Sequence, residues 1–114
     1  MRHELLDIED LDFEYPEAIE RLVALQLVNY DFWYLMKKDQ ALKLRDQLVE
    51  QCRHKKLVPF ARRGDNEDIA CFEIGKGERV VILRQSEFLG YRPYKVFDTV
   101  WDWFREAIEI MIKF

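Results

Sequence analysis

Leu57-Val58-Pro59-Phe60-Ala61-Arg62-Arg63-Gly64-Asp65-Asn66-Glu67-Asp68-Ile69-Ala70-Cys71-Phe72-Glu73-Ile74 is the stretch on which the reading of this chain turns. Two apolar, β-type runs flank a polar segment that holds the first glycine of the sequence. Such a pattern predicts a hairpin at the centre of a sheet. Working outward, Gly75-Lys76-Gly77-Glu78 supplies a second turn, and Val80-Val81-Ile82-Leu83 is continuously apolar, as a strand covered on both faces requires. Strands are therefore expected over residues 57–62, 69–74 and 79–85. Upstream, the aromatic run Phe32-Trp33-Tyr34-Leu35-Met36 reads as a further short strand. Downstream of the loop around Gly90 and Pro93, Tyr94-Lys95-Val96-Phe97 reads as an edge strand or an extended lead-in.

Three helices complete the pattern. Tyr15-Pro16-Glu17 starts one, because proline at the first helical position loses no hydrogen bond, and Glu17 and Glu20 suit the positive end of the helix dipole. Its stripe is Ile19, Leu22, Val23 and Leu27, and it fades near Asn29. Asp39 is the expected N-cap of a second helix from Gln40 to about Arg53, with Ala41, Leu44, Leu48 and Cys52 facing inward. Asp98 or Thr99 caps a third, which runs nearly to Phe114. The order predicts a single α+β domain, a mostly antiparallel sheet of about four to five strands with three helices packed on it.

At 114 residues the chain has room for one core, and its 49% apolar content is enough to build it. Residues 1–14 read as an acidic N-terminal arm, and residues 15–114 as the domain. Two cysteines, Cys52 and Cys71, and a charged start without an apolar leader lead us to expect a reduced, cytoplasmic protein. No apolar run approaches the roughly 20 residues of a membrane span. Charge is segregated along the chain. Residues 1–20 hold eight acids and one base, and residues 37–63 hold nine bases and three acids. Either the acidic arm screens the basic segment, or one of the two meets an oppositely charged partner. Nucleic acid is not the expected partner, because no aromatic residue for base stacking lies between Lys37 and Lys56.

Catalytic signatures are weak. Cys52-x-His54 supplies at most two metal ligands, and no second pair stands at zinc-like spacing. Asp65, Glu67 and Asp68 share a loop but lack the ligand series of an EF-hand. Gly75-x-Gly77 matches no nucleotide fingerprint, and Ser86 has no nucleophile elbow. No catalytic residue, metal or cofactor is expected. A metal-dependent hydrolase using the loop carboxylates is the least favoured alternative.

Several features recur in one order: Tyr15-Pro16, Trp33-Tyr34-Leu35-Met36, Val58-Pro59-Phe60-Ala61, Gly64-Asp65, Cys71-Phe72-Glu73, and Phe97-Asp98 leading into Trp101-Asp102-Trp103-Phe104. In that order the chain resembles the SUKH superfamily over about residues 15 to 108. The resemblance implies an α+β fold without catalytic residues. It also implies a protein-binding role, as in bacterial immunity proteins that neutralise toxins, often nucleases, or in regulatory interaction proteins.

Two contact surfaces are expected. On the last helix, Phe97, Val100, Trp101, Phe104, Ala107, Ile108, Met111 and Ile112 read as the core stripe. Trp103, Ile110 and Phe114 widen it to an arc of roughly 200°, more than one core face needs. These three are the expected contact edge, for a protein partner or for a homodimer through the last helix. The second surface is acidic, the loop of Asp65, Glu67 and Asp68 or the N-terminal arm, and is expected to meet a basic toxin.

Overall fold

The computed structural model describes residues 15–52, 57–66, 68–84 and 94–113, with Gln51 and Cys52 described for their backbone only. The acidic arm, His54, Glu67, the loop around Gly90 and Phe114 lie outside the described residues. The expected central hairpin is present as β3 (Leu57–Arg63) and β4 (Ile69–Glu73). On either side stand β1 (Asn29–Tyr30), β2 (Trp33–Leu35), β5 (Val80–Leu83) and β6 (Lys95–Phe97). All six strands form one antiparallel sheet in chain order, β1-β2-β3-β4-β5-β6. With α1 (Glu17–Ala24), α2 (Lys38–Cys52) and α3 (Val100–Lys113), the described residues form an α+β domain with one strand more than expected.

Pro59 in a central strand needs explaining, since proline cannot donate to a ladder. The β3–β4 register shifts between Pro59 and Ala61, so Phe60 is an extra residue on a bulge. β2 pairs only with residues 61–63 of β3, so Pro59 also lies beyond the end of that ladder. The bulge leaves the β2 side of Phe60 in register, its carbonyl accepting from the Met36 amide at 2.9 Å. It also sets the Phe60 ring flat on Phe72, centroids 4.2 Å apart and planes 14° from parallel.

Residues 57–61, 69–72 and 80–83 are buried without alternation, so both faces of β3–β5 are covered. α3 lies on the face of Phe60 and Phe72 and touches both edge strands, β1 and β6, as well as α1. The sheet therefore curls around this helix. α2 packs on β3 from the other side and buries Ala41, Leu44 and Leu48. At the centre of the first face sits Trp103, 1% exposed. It meets the rings of Phe60, Trp33 and Tyr30 edge-on at centroid distances of 5.1, 5.6 and 6.0 Å.

Local chemistry accounts for the helix ends. α1 stops at Ala24, five residues short of expectation, in a Schellman closure: the Leu27 amide donates to Leu22 O at 2.9 Å and the Gln26 amide to Val23 O at 3.0 Å. Gln26 takes the left-handed conformation (φ 60°) that glycine usually fills there. Leu27, expected in the buried stripe, is exposed as a result. α2 begins one residue before Asp39. Lys37 is its N-cap, and the Gln40 side chain reaches back to the Lys37 amide (3.3 Å), half of a capping box. Thr99 caps α3, accepting from the Asp102 amide at 3.1 Å, and the Glu78 carboxylate takes the Val100 amide at 3.2 Å. Gly75 and Gly77, both at positive φ, turn the chain from β4 to β5.

Loss of the Trp103 rings should be severe and loss of the cap mild. Trp103→Ala is expected to lower the unfolding free energy by about 3–5 kcal/mol, and Thr99→Ala by about 1 kcal/mol. Urea titrations followed by circular dichroism measure both, and similar losses for the two would refute the central place of Trp103.

Candidate functional site

The end of the sheet that carries the β3–β4 turn gathers its polar residues into a row. β3 ends on Arg63, whose amide donates to Asp68 O at 2.8 Å. Inside the turn, the Asn66 side chain accepts from the Asp68 amide at 2.9 Å. The Gly64 amide donates to Phe32 O at 2.8 Å, tying this loop to the turn between β1 and β2. There Asp31 holds φ 69°, with its amide on Asn29 Oδ1 at 3.0 Å. From this base Arg63 forks onto Asp65, Nε to Oδ1 at 2.7 Å and Nη2 to Oδ2 at 3.0 Å, while its guanidinium lies 5.8 Å from the centre of the Phe32 ring.

The row continues across the sheet. Arg84 follows the last residue of β5, and pairing of β5 with β6 brings Tyr94 beside it, the Tyr94 amide donating to Ile82 O at 2.7 Å. The Arg84 guanidinium stacks 3.7 Å above the Tyr94 ring. Its Nε stands 4.0 Å from Asp68 Oδ1. Asp68 is buried, and it lies between the positive fields of Arg84 and Arg63. The sequence across the end of the sheet is thus Phe32, Arg63, Asp68, Arg84, Tyr94, with an aromatic ring at each end and a carboxylate at the centre. Tyr94 is 52% exposed and Arg84 is exposed, so the Tyr94 half of the row is open to a partner.

The expected acidic contact surface takes another form. Asp65 is exposed but its charge is matched by the Arg63 fork, and Asp68 is buried instead of presented. Glu67 lies outside the described residues. Here the loop carboxylates position arginines. Neither Arg84 nor Tyr94 is among the contact residues expected from the sequence. They meet only once β6 has paired with β5, and no local spacing announces that contact.

On α3 the arc of apolar residues is as wide as expected, but the core takes its other end. Trp103 is buried and Ile110 half-buried, both turned to the sheet, so neither forms an exposed edge; Phe114 lies outside the described residues. The open end carries Trp101 and Ile112, 39% and 74% exposed, with Phe104 and Ile108 half-buried beside them. At about 100° per residue Val100, Trp103 and Ala107 centre the buried face, which leaves Trp101, Ile108 and Ile112 roughly 100–150° round from it.

No protein-family model, curated protein or solved structure matches the chain. Among the described residues, no three of His, Cys, Asp and Glu gather where they would hold a metal ion, and no helix is long and apolar enough to cross a membrane.

Burial raises the pKa of Asp68 above the ordinary carboxylate value, against the pull of Arg84 and Arg63 and the hydrogen bond with Asn66. In the unfolded chain it ionises near about 3.9. Between that value and its higher folded value, the folded state holds the extra proton. Stability contributed by Asp68 therefore falls as pH rises through this window and stays lower above it. Asp68→Asn, which carries no charge at any pH, should unfold at higher urea than the parent at pH 7, and the gap should close towards pH 3. A variant less stable than the parent at pH 7 would show that the arginines outweigh burial.

Proposed function

We propose that the chain is a non-catalytic protein-binding module of the immunity type, which acts in the cytoplasm and neutralises a toxin by covering its working surface. A nuclease is the toxin class that the sequence resemblance favours. One observation carries the reading: the aromatic–arginine row at the end of the sheet, with Arg84 stacked on an exposed Tyr94 and braced by the buried Asp68. Tyrosine and arginine are the side chains that dominate interface hot spots. Arginine is costly to order when it hangs free; one already held between a ring and a carboxylate loses less freedom on binding. Guanidinium donors not engaged by Asp68 remain for carboxylates or carbonyls of the partner. The SUKH-like order of motifs, laid out on an α+β domain with an antiparallel sheet, adds support of the same kind.

Mechanistically the module blocks by occlusion. A surface braced by cross-strand hydrogen bonds presents Tyr94 as an apolar anchor and Arg84 as its charged neighbour, and the loop with Asp65 makes the polar rim. Opposite charge across the contact speeds encounter more than it deepens affinity. The test is affinity capture of the tagged chain from its own cells, run beside Arg84→Ala/Tyr94→Ala and beside Trp101→Ala/Ile112→Ala. A stoichiometric protein partner is expected, retained by the second variant and reduced at least roughly tenfold by the first. Every partner surviving loss of Arg84 and Tyr94 would remove the row as the contact.

A further inference from the structure

The open side of α3 repeats with a period that matches itself. Trp101, Phe104, Ile108 and Ile112 stand at spacings of three, four and four, one above another along the helix. Phe104 is anchored on the inside by the Tyr30 ring at 5.1 Å and on the outside by Trp101 at 6.0 Å. Along one flank of the stripe run four exposed charges in alternating sign: Asp102, Arg105, Glu109 and Lys113.

Alternation of this kind has a geometric consequence. In an antiparallel pair of identical helices the two-fold axis is perpendicular to both, so each flank meets its own copy. Centred between Glu106 and Ala107, the axis sets Trp101 against Ile112 of the other copy and Arg105 beside Ile108. On the charged flank it brings Arg105 against Glu109, and Asp102 against Lys113, each pair twice. In a parallel pair the two-fold axis runs along the helices, so this flank would face the opposite one and its four charges would gain no such pairing. From this we infer that α3 is a self-association surface, and that a second copy of the chain docks on it antiparallel, with Trp101 and Ile112 at the two ends of a shared apolar seam. The seam is separate from the row that carries the proposed toxin contact, so one chain has a surface for each.

Arg105–Glu109 and Glu109–Lys113 are also spaced four apart within one helix, where they stabilise it modestly. A charge swap addresses this: exchanging the charges at 105 and 109 keeps that internal pair, while 109–113 becomes like-charged, a cost to the helix that the melting curves read. The experiment is sedimentation equilibrium of the purified chain over a roughly 100-fold concentration range, with melting curves to establish that each variant is folded. The parent should pass from monomer to dimer. Trp101→Ala/Ile112→Lys should remain monomeric. Arg105→Glu and Glu109→Arg should each weaken the dimer by roughly tenfold or more, and the two together should restore it. Arg84→Ala/Tyr94→Ala should leave the dimer unchanged, so failure of the toxin reading and failure of this one are read from different variants. A parent that is monomeric throughout would overturn the inference, as would a dimer indifferent to all α3 changes. A foreign protein captured through Trp101 and Ile112 by an otherwise monomeric chain would overturn it as well.

Discussion

Everything in this domain is arranged around one contact, the edge-on packing of the Trp103 indole against Phe60, Trp33 and Tyr30. Those three rings come from β3, β2 and β1, and α3 carries the fourth. The stack continues through Phe60 and Phe72 to Tyr15 ahead of α1, where the Tyr15 and Phe72 centroids are 6.4 Å apart. A sheet of six short strands has little area to offer a flat helix layer. By curling until both edges touch α3, it replaces hydrogen-bonded closure with aromatic contact. The bulge at Phe60 makes this possible, since bulges bend a strand and raise its twist. Proline is tolerated beside it for the same reason.

Much of this was legible from residue order alone. The hairpin over 57–74, the apolar run 80–83, the glycine turn between them and the capped last helix are local signals, each with a short-range cause, and the structure holds each one. What was not legible has physical causes too. A helix periodicity shows how wide an apolar arc is, not which end of it the sheet will cover. On α3 the arc was right, while Trp103 and Trp101 exchanged places. The early end of α1 and the extra strand β1 depend on Gln26 and Asp31 adopting left-handed backbone without glycine; aspartate tolerates that conformation, whereas glutamine gives no sign of it. The arginine row joins residues from β3, β5 and the start of β6, so its members have no shared spacing to read.

Charge behaves differently in the fold than along the chain. The loop at 64–68 reads as a negative patch in sequence, yet Asp65 and Asp68 face the arginines of the neighbouring strands. An exposed forked pair such as Arg63–Asp65 adds little to stability, of order 1 kcal/mol or less. Its effect is orientation: the guanidinium is held in one place over Phe32. Asp68 pays a burial penalty to do the same for Arg84, and a penalty of this kind is what positioned recognition groups commonly carry.

Chain order gives the central tryptophan one more meaning. Synthesis runs from the amino end, so all six strands and two helices leave the ribosome before α3 does. During that interval Tyr30, Trp33, Phe60 and Phe72 have no helix over them, and the sheet has no reason to curl. A nascent chain in this state exposes an aromatic face together with open strand edges, the combination that invites chaperones and misassembly. Covering of that aromatic face therefore waits on the stretch from Val100 to Ala107.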